Sequence, residues 1–431
     1  MSAALLARLQ GEYGAVRDTL PDSVIDGESR LEAIAALCAQ GLPTTREENW
    51  RYANLRVLER ARFSPPASPA GIADLPEPLT GFSRFVFVDG MLAVGEPVQH
   101  AGLTIHSLRS GSQVADASGP QRIAALPEAR LALLNEAFAT DGAAIRVRRE
   151  AGAPQIELLF IACAPAQAGA SYPRVRLSLE ADARLTLVER HLSAGDEPSL
   201  VNGALHVDLA EGAHLDHYRL QQTSTRAAWF DTVEATLAQD ARYNLIAVGA
   251  GALAARSTVH IRLAGPGAEV SLSAAAISDR QQSQDTYVLS EHLAPRTRTE
   301  QIFRGIASGR ARVAFNGKIA VRESARGTDS RQSLRGLLAG PEAEIDVRPQ
   351  LEIYTDEVRC SHGATAGKLD ENMLFYLLSR GLEPEVAQRL LKWAFLEDVV
   401  SRIELPALRR RIEHELAGQM SELASLKELL R

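Results

Sequence analysis

The sequence predicts a mainly β protein: a parallel, right-handed β-helix core flanked by N-terminal and C-terminal α-helical regions. Three observations carry this. First, from about residue 155 to residue 354 short alternating apolar and polar runs follow one another without helical spacing. Second, small residues introduce those runs at a weak repeat: Asp182-Ala183-Arg184-Leu185, Gly212-Ala213-His214-Leu215, Asp240-Ala241-Arg242-Tyr243, Gly267-Ala268-Glu269-Val270, Arg310-Ala311-Arg312-Val313 and Glu342-Ala343-Glu344-Ile345. The intervals between the alanines are 30, 28, 27, 43 and 32 residues. A period of roughly 25–30 residues suits stacked β-coils, each burying its inward face only against its neighbours. The 43-residue step reads as one coil with a longer excursion. Second strands fall between most of these points, at Ala204–Leu209, Thr232–Leu237 and Ser257–Leu263. A β-sandwich would need hairpin turns every 8–12 residues or so, and those signals are weaker. The right hand follows from the crossover preference of parallel strands. Third, helix start and stop signals gather at the two ends.

Residues 1–60 are expected to be the N-terminal helical region. Ser29-Arg30-Leu31-Glu32 has the form of a capping box, with Ser29 as N-cap. Leu31, Ile34, Ala35 and Cys38 then follow helical spacing, which puts Cys38 in the core, and Gly41 suits the stop. Residues 61–154 read as a linker and mixed α/β segment. Its first part, Phe63 to Gly81, is rich in proline and small residues and predicts an exposed linker. Phe85–Val88, Asp89-Gly90 and Met91–Val94 predict a hairpin, because Asp-Gly supplies the positive φ angles of a tight turn. Ala129–Ala139 reads as a helix and Ala143–Val147 as extended chain. Residues 155–365 form the β-helix core and residues 366–431 the C-terminal helical region. There Asp370 can cap a helix bearing Met373, Leu374, Leu377 and Leu378, with Gly381 at its end. Pro384 suits the first turn of the next, which carries Val386, Leu390, Trp393, Ala394 and Val400, and Pro406 starts a charged last helix.

The chemistry concentrates where the core ends. In Tyr354-Thr355-Asp356-Glu357-Val358-Arg359-Cys360-Ser361-His362-Gly363 a strand-like segment ends in Cys360 and His362, two residues apart. Alternate residues of an extended chain share a face, so thiolate and imidazole can point the same way. Both donors suit iron–sulfur, zinc or copper chemistry. The glycine and small residues that follow allow a sharp turn away. Leu351 and Ile353 are out of phase with Val358 and Cys360, which predicts a bend between Tyr354 and Glu357. Clusters usually want four ligands, and Cys360 and His362 are two. The remaining donors are expected from another chain.

Cys-Ser-His-Gly-Ala-Thr at residues 360–365, then Gly367, Asp370, Phe375-Tyr376-Leu377 and Ser379-Arg380-Gly381, resembles the signature of the SufB/SufD family, the scaffold subunits of the SUF iron–sulfur assembly system. The Cys-Ser-His-Gly form is similar to that of the SufD branch. Glu48-Asn49-Trp50-Arg51-Tyr52 is similar to the family's N-terminal Glu-Trp-Arg-Tyr element, its aromatic pair expected to pack. Phe315-Asn316-Gly317-Lys318-Ile319, Thr328-Asp329-Ser330-Arg331-Gln332 and Leu337-Leu338 resemble further family motifs, whose polar residues are expected to bond backbone at coil corners. The resemblance implies the same β-helix and a non-enzymatic scaffold that pairs with a SufB-like paralogue through the β-helix ends. It implies a SufC-like ABC ATPase on the C-terminal helices. It places Cys360 and His362 at the interface where a transient iron–sulfur cluster forms, with no permanently bound cofactor. In isolation the same uncovered edge allows a homodimer.

Composition sets the bounds. The net charge is −7, and no basic cluster with interleaved aromatics occurs, which argues against a nucleic-acid partner. Three widely spaced cysteines, Cys38, Cys163 and Cys360, suit a reducing compartment, and Cys163 in its apolar run reads as a core thiol. Met1 to Leu20 lacks the apolar stretch of a signal peptide, and no run of about 18 apolar residues suggests a membrane span, so a cytoplasmic protein is expected. No nucleotide-binding Gly-x-x-x-x-Gly-Lys loop is present. His214 and His217, three apart on a strand, face opposite sides and read as solvent-exposed, while His206 and His260 read as ordinary coil-face residues. Two rivals stand beside the scaffold reading. A β-helical enzyme acting on acidic polysaccharide would need clustered charge on one lateral face. A thiol enzyme would need an orienting carboxylate near Cys360 and His362.

Overall fold

The computed structural model describes residues 3–72, 74–95, 98–111, 126–163 and 170–419. Its centre is a parallel β-solenoid of about eight turns, in which successive strands alternate between two sheets. One sheet stacks Gln155–Ala162, Arg184–Ser193, His214–Gln222, Arg242–Ala250, Glu269–Ser278, Arg298–Ala307, Thr328–Leu338 and Val358–Gly367. The other stacks Arg174–Leu179, Leu200–Leu209, Ala228–Leu237, Ala254–Leu263, Ser283–His292, Arg312–Val321 and Glu344–Ile353. Inward positions of both sheets, such as Leu185, Leu215, Tyr243 and Leu272 facing Leu205, Val233 and Ile261, form one continuous core.

The corners explain the repeat. Ala183, Ala213, Ala241 and Ala268 are fully buried at the turn into the first sheet. Each follows a residue in the left-handed region: Asp182 (φ 58°), Gly212 (φ 66°), Asp240 (φ 51°) and Gly267 (φ 74°). Aspartate and glycine tolerate that conformation best, and only a small side chain fits the inside of the corner. Ala311 and Ala343 instead lead into the second sheet. The 43-residue step between Ala268 and Ala311 is therefore one and a half ordinary coils, not one coil with an excursion. The register confirms it: Glu269 pairs with Arg298 and Ser283 with Arg312, both 29 residues on.

The predicted hairpin is present, with Ser83–Val88 antiparallel to Met91–Val94 across Asp89 (φ 50°) and Gly90 (φ 85°). At the other end of the chain, helices Pro384–Val400 and Pro406–Gln419 lie on the outer face of the first sheet. Trp393, Leu396, Val400, Leu408 and Ile412 pack there with Tyr218, Ile246 and Ile302. Ala394, expected on that apolar face, is exposed.

The N-terminal region departs from expectation in detail. Helix Gly27–Gln40 is capped by Asp26, whose carboxylate accepts from the Ser29 amide at 2.8 Å, so the cap lies three residues before Ser29. Its buried face is Arg30, Ala33, Ile34 and Leu37; Leu31 and Ala35 are exposed and Cys38 is half-buried. Arg30 occupies the inside because its guanidinium donates to four backbone carbonyls, those of Pro21, Ile25, Ala137 and Ala139. Beyond Gln40 only short 3-10 turns follow, at Glu48–Trp50 and Leu55–Glu59. The described residues of the Phe63–Gly81 stretch have no regular structure but do not form a free linker: Phe63 and Leu79 are buried, and Tyr172 donates to the Phe63 carbonyl at 2.7 Å.

Candidate functional site: the open end of the solenoid

The solenoid's last coil is made of Glu344–Ile353 and Val358–Gly367, the outermost strands of their sheets. The predicted bend between Tyr354 and Glu357 is the corner joining them, and the phase change there is a change of sheet. Cys360 and His362 stand within the second strand rather than at its end. The chain does not turn at Gly363; it stays paired with the neighbouring strand through Gly367. Cys360 pairs with Ser330 and His362 with Gln332. Ser330 and Gln332 face the solenoid interior at 0% and 4% exposure, and parallel in-register strands share the direction of their side chains. Cys360 and His362 therefore share the inward face, as alternation requires. Among the described residues no further coil covers it: Cys360 is half-buried against the cluster of Ile319, Val321 and Ala325, and His362 is exposed.

Among the described residues no group of three or more His, Cys, Asp or Glu could hold a metal ion. Cys360 and His362 put two donor side chains on the open end. Beside it, helix Glu371–Ser379 is capped by Asp370 as expected, but it buries no residue fully. Met373 (60% exposed), Phe375 (72%) and Tyr376 face solvent. The Glu-Asn-Trp-Arg-Tyr element reaches the same end from outside. Glu48 pairs with Arg348 in the last coil, Asn49 accepts from Asn316 at 2.9 Å, and buried Trp50 stacks under Arg256, 4.3 Å from its ring. Of the polar family-like residues, Thr328 bonds corner backbone as expected, donating to the Ala325 carbonyl at 2.8 Å. Asn316 and Gln332 sit within strands instead.

Sequence reasoning missed a second polar group deep inside the stack. Glu189 accepts from His191 Nε2 at 2.6 Å, from His217 Nε2 at 3.2 Å and from Arg219, which also bridges to Asp231. Burial pushes the Glu189 carboxyl up, but Arg219 and the two imidazoles outweigh it and hold it well below the usual range. His217 is fully buried, not solvent-exposed. Its Nδ1 lies 3.0 Å from the Tyr243 hydroxyl, and burial holds its pKa down. His214 faces out, as alternation requires, beside Asp216 and Asn244. An alternating strand does not reveal which face is inward when that face carries charge. A cavity of about 70 Å³ adjoins this network, lined by His191 and Arg219 on one side and by mainly apolar side chains such as Leu245, Val259, Leu272 and Phe303 on the other.

Residues 161–395 match the family described as SUF system FeS cluster assembly, SufBD core domain. The chain is 30% identical to the iron–sulfur cluster assembly protein SufD of Escherichia coli over 87% of its own length and 89% of that protein. This chain belongs to the SufBD family. A SufBD family protein of Synechocystis is 27% identical over 91% of this chain and 90% of its own, and one of Mycobacterium tuberculosis 25% identical over 92% and 94%. Membership in the SufBD family carries a role in iron–sulfur cluster assembly.

Proposed function

We propose that this chain is a non-enzymatic half-scaffold on which an iron–sulfur cluster is built together with a SufB-like paralogue. The observation that carries the reading is the uncovered last coil, two ten-residue edge strands with Cys360 and His362 on the inward face. An open parallel edge offers a row of unpaired backbone donors and acceptors to a second solenoid, and pairing there continues the stack. Such a contact closes the interior and brings the partner's donors over Cys360 and His362. The cluster is cargo, held by thiolate and imidazole from this side and by partner ligands from the other, then released. Exposed Met373, Phe375 and Tyr376 give a SufC-like ATPase an apolar landing helix beside the same coil. ATP hydrolysis there moves the scaffold halves and opens the joint. Among the described residues no helix is long and apolar enough to cross a membrane, and a cytoplasmic location is part of this reading.

Co-expression with tagged paralogue and ATPase tests it. All three chains should co-purify, and Cys360→Ala should leave that complex intact while abolishing cluster formation from iron and sulfide. Equal cluster yield from both proteins would remove Cys360 from the mechanism.

A further inference from the structure

Beneath the exposed pair lies a polar ladder that an apolar core does not require. Two inward positions repeat in register through the last three coils: Thr299, Ser330 and Cys360 form one column, and Gln301, Gln332 and His362 the next. The glutamine column has a direction. Gln301 Nε2 donates to Ser290 Oγ at 3.0 Å. Gln332 Nε2 donates to Gln301 Oε1 at 2.8 Å and to the Gly317 carbonyl at 2.9 Å. Both amide hydrogens are thereby committed to acceptors, which fixes the orientation of the side chain. Its carbonyl, Oε1, is buried and has no partner, as does Ser330 Oγ in the neighbouring column. Room for the ladder comes from Gly317, where a Cβ would fall 2.6 Å from Gln301 Oε1 and 2.9 Å from Gln332 Nε2. Gln332, which carries the free acceptor, is the register partner of His362 on the neighbouring strand, whose backbone lies about 4.8 Å away.

We infer that Gln332 is the positioning residue for His362. Its carbonyl accepts one ring N–H, fixes the imidazole in a single tautomer, and leaves the lone pair of the other nitrogen for iron. Histidines that ligate metals generally donate their second N–H to such an acceptor, which sets ring orientation and raises basicity. The inference rests on the half-site reading of Cys360 and His362, and its test separates the two. Histidine-selective 15N labelling of the full chain at about pH 8 reads the tautomer of each ring. His362 should show one tautomer, against the unconstrained ratio of exposed His414 in the same molecule. Gln332→Leu should relax His362 to that ratio. Signals of buried His292 report whether the interior is intact. If Gln332→Leu does not fold, the wild-type comparison still decides. Cobalt(II) affinity of the full chain should fall about tenfold in Gln332→Leu. A wild-type His362 with the ratio of His414, or a tautomer or cobalt affinity unmoved by Gln332→Leu, would overturn the assignment. Cobalt binding unmoved by both Cys360→Ala and His362→Ala would instead overturn the half-site, leaving the tautomer to judge Gln332 by itself.

Discussion

The two ends of the solenoid are finished in opposite ways. At the N-terminal end the sheets stop in the antiparallel strands Met91–Val94 and Val98–His100, four and three residues long. Phe87 and Phe160 stack inside, 5.0 Å apart. Short, reversed edges leave little for another parallel sheet to join. At the C-terminal end two strands of ten residues are left bare, and every residue of that coil is half-buried or exposed. One repeat thus serves two purposes. Where stacking is completed it stabilises the chain, and where it is left incomplete it presents an exposed edge, which the proposed scaffold role assigns to a partner.

Substitutions inside and at the open end should separate accordingly. The largest effect belongs to Arg219→Leu, which takes the guanidinium away from two buried carboxylates, leaving Glu189 only its two imidazoles and Asp231 without its ion pair. Denaturant unfolding should show a loss of about 3–5 kcal/mol. Arg359→Ala on the exposed outer side of the last strand should stay within about 0.5 kcal/mol of wild type. Equal losses would erase the distinction between the two regions.

Acid should act through the closed interior. Burial lowers the His292 pKa from 6.5 to about 4. The folded state therefore disfavours its protonation: this contribution is fully present above pH 6.5 and disappears as the pH falls to about 4. It amounts to about 3 kcal/mol. The difference between wild type and His292→Asn in stability against pH isolates it from other buried groups such as Glu234, whose carboxyl burial pushes up to about 8. A difference independent of pH between 6.5 and 4 would contradict the assignment.

Smaller effects belong to the last coil itself. Leu351 is only half-buried against Ile319 and Val321. Leu351→Ala should therefore destabilise the lone chain by about 1 kcal/mol, below the range for fully buried leucines, while weakening association with the paralogue. Sedimentation and thermal melts check the two halves of that statement. Smallest is Cys360→Ala, for which melting should shift the stability by less than about 0.5 kcal/mol.

Much of this was legible before any coordinates. Corner alanines, the Asp-Gly hairpin, the Asp370 cap and the helix-starting Pro384 and Pro406 are local signals, each decided by backbone conformation within a few residues, and the elements follow them. The Cys360–His362 pair was legible for the same reason: period-two alternation is a property of any strand. What the sequence concealed needed the path of the chain. The step from Ala268 to Ala311 looks like an insertion until it is known that the two alanines turn into different sheets. His217 looks like surface until Glu189, 28 residues earlier, is seen one coil below it. Gln332 looks like a corner residue until its register with Gln301 and His362 is known.

Amide hydrogen exchange tests the central claim most directly, comparing the chain at a dilution where it sediments as a monomer with the chain bound to its SufB-like paralogue. The account predicts that Glu344–Ile353 and Val358–Gly367 exchange fast alone and slow strongly in the complex, while Met91–Val94 at the opposite end is unchanged. A stable complex in which those two strands exchange as fast as in the monomer would contradict it.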